Sequence, residues 1–213
     1  VTETSLLLQF AITLPLLLVS LVLHELAHGW VAFKLGDPTA RALGRLSPNP
    51  LRHLDVWGTI ALVVTFLGSG GTFFFGWAKP VPVNPGYFKD PQRAMMLVGA
   101  AGPATNLVLA LVAAALVWGT YTWNLFLAQA FALLFVLNVV LAVLNLLPIP
   151  PLDGSRVVGG FLSQSQYRSW VALDRYGNYV FVGLLLVVLV APEMFEATIG
   201  RVLDLSFLLL PGG

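Results

Sequence analysis

Cysteine is absent from this chain, which closes two routes at once. No disulfide framework can staple the fold and no thiolate can bind a metal, so a metal site must be built from histidine and carboxylate. Charged residues are scarce too, at 10% of the sequence where soluble domains carry about 25%. Basic and acidic side chains nearly cancel, and a net charge of +1 gives no reason to expect a nucleic-acid partner. Histidine is limited to His24, His28 and His53. What fills the space is hydrophobic: 58% of residues, with a mean hydropathy of +0.86. For 213 residues this is the composition of a single membrane-embedded domain, and the lipid bilayer is its first expected partner.

The apolar residues fall in runs. Leu6 to Leu23 holds one strongly polar side chain, Gln9, within a helix predicted from Thr4 to about Phe33. Pro15 should kink that helix, and Gly36-Asp37-Pro38 should stop it. It is too long for a cleavable signal peptide and has no basic leader. Ala94 to Trp118 and Leu125 to Leu147 read as further spans, and Tyr179 to Ala191 as a shorter last one. Trp57 to Trp77 is apolar but broken by Gly68-Ser69-Gly70-Gly71. Thr39 to Asp55 is polar and turn-rich, and is expected to form short strands or turns at the membrane surface. The proline-rich stretch from Lys79 to Pro85 is expected to be extended, as an edge strand. The core then covers about residues 4–160, with a C-terminal span and interfacial tail over 177–213.

Near the end of the first run stands His24-Glu25-Leu26-Ala27-His28. Residues four apart share a helix face, so His24 and His28 can offer two imidazole nitrogens to one metal ion. Glu25 stands where a carboxylate can take a proton from a metal-bound water. Ionisable groups at the end of a membrane helix are expensive, which marks them as functional rather than incidental. A catalytic zinc takes three protein ligands and leaves one position for water. The third ligand here is His53 or a carboxylate, and Asp153 is the best-placed carboxylate, following a helix broken by Pro148, Pro150 and Pro151.

Charge sets the topology. All but one of the eleven Lys and Arg residues fall between 34 and 93 or between 151 and 176, and the positive-inside rule places both stretches in the cytoplasm. The chain must therefore cross an even number of times between residues 34 and 93, which makes Trp57–Trp77 a re-entrant hairpin. That arrangement sets the helix motif and Asp153 on the same, cytoplasmic side. The fold expected is an all-α polytopic membrane protein: a bundle of about four transmembrane helices with a re-entrant segment and short β-strands at the cytoplasmic face.

Two motifs at this separation carry a family resemblance. His24-Glu25-x-x-His28 in one span, with Asn145-x-x-Pro148-x-Pro150-x-Leu152-Asp153-Gly154 at the end of a later one, resembles the site-2 protease family of intramembrane zinc metalloproteases. Gly102-Pro103-x-x-Asn106 and Phe75-Gly76-Trp77-Ala78-Lys79-Pro80-Val81 resemble the same family, in its compact prokaryotic branch without PDZ or CBS domains. The resemblance implies one zinc per chain held by His24, His28 and Asp153, with Glu25 as general base. It implies Asn145 close to the metal, binding substrate or steadying the oxyanion. It also implies a single-pass membrane protein as substrate, such as an anti-sigma factor, cleaved from a multi-pass position in the cell membrane.

Other residues join the candidate site on their own chemistry. Asn106 and Asn138 are polar groups inside spans, serving as interhelical glue or, for Asn106, as a substrate contact. Val81 and Val83 could present a strand edge to an unwound substrate peptide. The rival reading is a non-catalytic metal-binding or transport protein. A transporter would distribute polar groups along a path through the membrane. Here they gather at one end.

Overall fold

The computed structural model describes residues 3–71, 74–177, 179, 180, 182, 183, 186 and 192–211. Most of the last predicted span, Tyr179 to Ala191, lies outside the described residues. The chain forms two compact units, Val1–Asn84 and Pro85–Gly213. Among the described residues, three helices are long and apolar enough to cross a membrane: Leu6–Lys34, Pro91–Thr120 and Leu125–Leu146.

The first unit is built on α1 (Glu3–Lys34), which runs unbroken through Pro15. Gly36, at φ 111°, turns the chain out of the helix into α2 (Thr39–Ala42). A short 3-10 turn (Pro50–Arg52) leads to α3 (Val56–Gly68), whose N-terminus is capped by the Asp55 carboxylate accepting from Gly58 N–H at 2.8 Å. At 13 residues, α3 is about 20 Å long, too short for a hydrocarbon core of about 30 Å. Gly70 and Gly71, both at positive φ, reverse the chain there. It then returns extended beside α3: the Thr65 hydroxyl accepts from Phe75 N–H at 2.8 Å, and Lys79 N–H donates to the His53 carbonyl at 2.7 Å. Gly58 makes the return possible, because a Cβ there would lie 2.1 Å from the Trp77 carbonyl oxygen.

The expected surface strands do not form. Among the described residues the only β-type pairing outside helices is an isolated antiparallel bridge between Leu54 and Ala78. The reason lies in where the backbone donors go. Pro80, Pro82 and Pro85 have none, and the N–H groups of Lys79, Val81 and Asn84 are all taken by partners in the first unit. Residues 39–55 use their polar side chains for helical turns rather than a ladder.

In the second unit α4 (Pro91–Thr120) and α5 (Leu125–Leu146) are joined by a four-residue turn, with the Asn124 side chain capping α5. Ala110, Ala113 and Ala114 of α4 pack on Phe135 and Val139 of α5. The short side chains let the two helices approach closely. Their outward faces stay apolar, with Leu107, Val108, Leu111, Phe126 and Leu146 exposed, as hydrocarbon surroundings require. Two small helices follow, α6 (Asp153–Gly159) and α7 (Gln164–Val171). The Gln92 amide of α4 donates to the Gly159 and Leu162 carbonyls and fixes the end of α6. Helix α8 (Pro192–Phe207) belongs to the tail expected to be interfacial; Val202, Leu203 and Leu210 pack against the α4–α5 core.

Candidate functional site

On α1 the two motif histidines are buried, and their Nε2 atoms lie 3.0 Å apart with the rings edge to face. Two nitrogens bound at tetrahedral angles to one zinc would be separated by about 3.3 Å at ordinary Zn–N distances. The imidazole pair therefore fits a zinc ion with little movement. Ser20, one turn before His24 and fully buried, turns its hydroxyl back to the Leu16 carbonyl at 2.9 Å.

Glu25 is half-buried on the neighbouring face of α1. Its Oε2 accepts a hydrogen bond from the Val81 N–H at 2.8 Å. Val81 itself is buried, and its side chain meets α1 at Gly29: a Cβ on that glycine would lie 2.9 Å from Val81 Cγ1 and 2.7 Å from Leu46 Cδ2. The Val81 N–H is thus engaged by Glu25, and Val83 two residues on is half-buried.

A second carboxylate secures the far end of the same stretch. Asp37 is fully buried and accepts from the Thr39 N–H at 2.9 Å, from the Thr39 hydroxyl, and from the Asn84 N–H at 2.7 Å. Burial pushes this carboxyl upward, but the three hydrogen bonds outweigh it and hold it below the ordinary carboxylate value. The sequence offered a faint signal here in Asp37-Pro38-Thr39, a turn-forming triplet.

His53 is 2% exposed, and its Nε2 must carry the proton, since it donates to the Ser47 carbonyl at 2.8 Å. Its Nδ1 is enclosed without a partner, and among the described residues it belongs to no cluster of metal-ligating side chains. Asn106 is fully buried and donates to Asn138 Oδ1 at 2.8 Å, while Asn138 donates to the Leu134 carbonyl. The pair ties α4 to α5.

In the second unit Asp153 opens α6 and is 8% exposed. Gly154 follows it and presses on the end of α5, where a Cβ would come within 2.2 Å of the Leu146 carbonyl oxygen. Gly99 of α4 lies under the same turn, and a Cβ there would sit 3.0 Å from the Asp153 carbonyl oxygen. Backbone from α4 and α5 thus fixes where the Asp153 carboxylate starts. Asn145, half-buried in the last turn of α5, donates one amide hydrogen to the Leu141 carbonyl at 2.9 Å. Its second amide hydrogen and its carbonyl oxygen carry whatever further role it has.

Residues 12–123 and 119–190 match the profile of peptidase family M50. Among curated proteins the chain is 40% identical over 176 residues to "Putative zinc metalloprotease YwhC" of Bacillus subtilis, covering 79% of this chain and 77% of that one. It is 32% identical over 185 residues to the like-named Rip2 of Mycolicibacterium smegmatis, covering 84% and 68%, and 33% identical over 195 residues to Rip2 of Mycobacterium tuberculosis, covering 89% and 71%. No solved structure matches.

Proposed function

Because this chain belongs to peptidase family M50, a family of zinc metalloproteases, we propose that it cleaves a membrane protein within or beside its transmembrane segment. The observation that carries the reading is the pair of convergent imidazoles on a membrane-length helix, with a carboxylate beside them. His24 and His28 supply two zinc ligands. Asp153 supplies the third: His53 is committed to Ser47, and Asp153 is a buried carboxylate in the matching family motif. The profile match runs across both compact units, which supports one catalytic domain rather than two.

A zinc ion held by His24, His28 and Asp153 would lower the pKa of a water to about 7 and supply a Lewis acid for the scissile carbonyl. Glu25 accepts the proton released as the water oxygen bonds to the carbonyl carbon, and delivers it to the amide nitrogen as the C–N bond breaks. Asn145 donates its second amide hydrogen to the developing oxyanion, without adding a charge to an apolar site. The substrate helix must unwind first, and the extended stretch that includes Val83 gives the unwound peptide a surface to lie along.

The out-and-back course of α3 and the extended return supports a re-entrant hairpin, with residues 54 and 78 at one level. With the loop charges, that favours an active site near the cytoplasmic face of the cell membrane, in a bundle of about four spans. The substrate class is a single-pass protein of the anti-sigma-factor kind. A transport site would tolerate glutamine at position 25, and a hydrolase would not. Glu25→Gln should therefore retain zinc while cleavage of a single-pass substrate in detergent falls by about 10²–10⁴-fold. Full activity with glutamine would overturn the proposal.

A further inference from the structure

We infer that the Val81 backbone N–H is the positioning group for the Glu25 carboxylate, an inference that rests on Glu25 being the general base. Glu25 stands on a helix face one position round from the histidines, and a free glutamate there would sample several rotamers. The 2.8 Å bond from Val81 engages Oε2, and the other carboxylate oxygen is the one to take the proton. A backbone donor is well suited to the task. It is neutral, so it adds no buried charge, and a charge-assisted bond of this kind is about twice as strong as a neutral one.

The donor is itself held in place by unusual means. Pro80 and Pro82 restrict the backbone on either side of Val81. One residue before Pro80, the Lys79 N–H donates to the His53 carbonyl at 2.7 Å and the Lys79 carbonyl accepts from Arg45 Nη2 at 2.7 Å. Beyond Val83, the Asn84 N–H is held by Asp37 at 2.7 Å. Between these anchors the Val81 side chain seats against Gly29, the residue after His28. The stretch from Lys79 to Asn84 is thus a strap fixed at both ends, with one N–H aimed at the catalytic carboxylate. A strap that served only to close the fold would not need its central donor on Glu25.

The test has two arms on the full chain in detergent. In the first, selectively ¹⁵N-valine-labelled protein is compared with its Glu25→Ala variant. The Val81 amide proton should move upfield and lose about tenfold or more of its exchange protection. An unmoved, equally protected amide would overturn the bond. In the second arm, zinc-loaded Val81→Pro, which removes the N–H, is compared with Val81→Ala, which keeps it. The proline variant should lose about tenfold or more in kcat with KM within about twofold and zinc content intact. The alanine variant should recover most of that loss. Equal kcat in both variants, or a loss confined to KM, would overturn the positioning role. Zinc-loaded wild type that cleaves no single-pass substrate would bring down the protease reading, and the base's need for positioning with it. The amide shift would then report a structural clasp only.

Discussion

Replacing Gly154 by alanine places the new methyl 2.2 Å from the Leu146 carbonyl oxygen and 2.4 Å from both the Leu146 carbonyl carbon and the Leu147 carbonyl oxygen. Ordinary contact begins at 3.4 Å, so the end of α5 and the start of α6 must part by about 1 Å. All three atoms are backbone, so no side chain can rotate out of the way. Overpacking costs about 1–3 kcal/mol where neighbours can yield, and the upper end applies here. For a chain of this size, about 3 kcal/mol lowers Tm by about 6–12 °C. The same 1 Å is transmitted to the adjoining Asp153, and misplacement on that scale costs about 10²-fold in rate. Thermal unfolding in detergent, chelator competition for zinc and substrate cleavage should all be measured on this one variant. The reasoning fails if Gly154→Ala melts within 2 °C of wild type, about the resolution of the assay, and binds zinc equally tightly.

Three further outcomes follow from the same geometry. Asp37→Asn should weaken the anchor on Asn84. Because the folded Asp37 carboxyl lies below its ordinary value of 3.8, its contribution is complete above that value and disappears as pH falls through the folded one. The Tm difference between wild type and Asp37→Asn should therefore be largest near neutrality and shrink as pH falls below the ordinary value; a difference that grows on acidification would reverse the sign. Asn138→Leu should destabilise the second unit by about 1–3 kcal/mol, since it removes a hydrogen-bond partner of the buried Asn106 amide. Adding Asn106→Leu should restore part of that loss, by up to about 1.7 kcal/mol, and strict additivity of the two changes would show that the pair does not interact.

How much of this was legible in the sequence depended on how local each cause was. The histidine pair was visible because helical spacing alone puts His24 and His28 on one face. The three long helices followed from apolar runs, and the reversal after α3 from its glycines. Contacts between distant positions left little trace. Nothing in Pro80-Val81-Pro82 announces that its single N–H serves a glutamate 56 residues earlier. The strands expected at the surface failed for a related cause: extended backbone was foreseen correctly, but its donors were spent on side chains and single carbonyls. Asn106 and His53 stood out as polar side chains, but their burial and their partners, Asn138 and the Ser47 carbonyl, were not legible in the sequence.

Gln9 is the one strongly polar side chain in the first apolar run, and its amide donates to the Gly71 carbonyl at 3.0 Å. This contact works as a depth gauge. From Gln9 to His24 is 15 residues, or about 22 Å of helix, so on the proposed re-entrant course, with His24 at one face, the tip of the hairpin would reach roughly three quarters of the way through a hydrocarbon layer of about 30 Å. At that level there would be no water to satisfy a carbonyl released by a glycine turn, and each such vacancy costs several kcal/mol. The polar amide in a greasy helix takes the place of solvent for that carbonyl. Position 9 and the turn at 71 should thus be exchangeable only together.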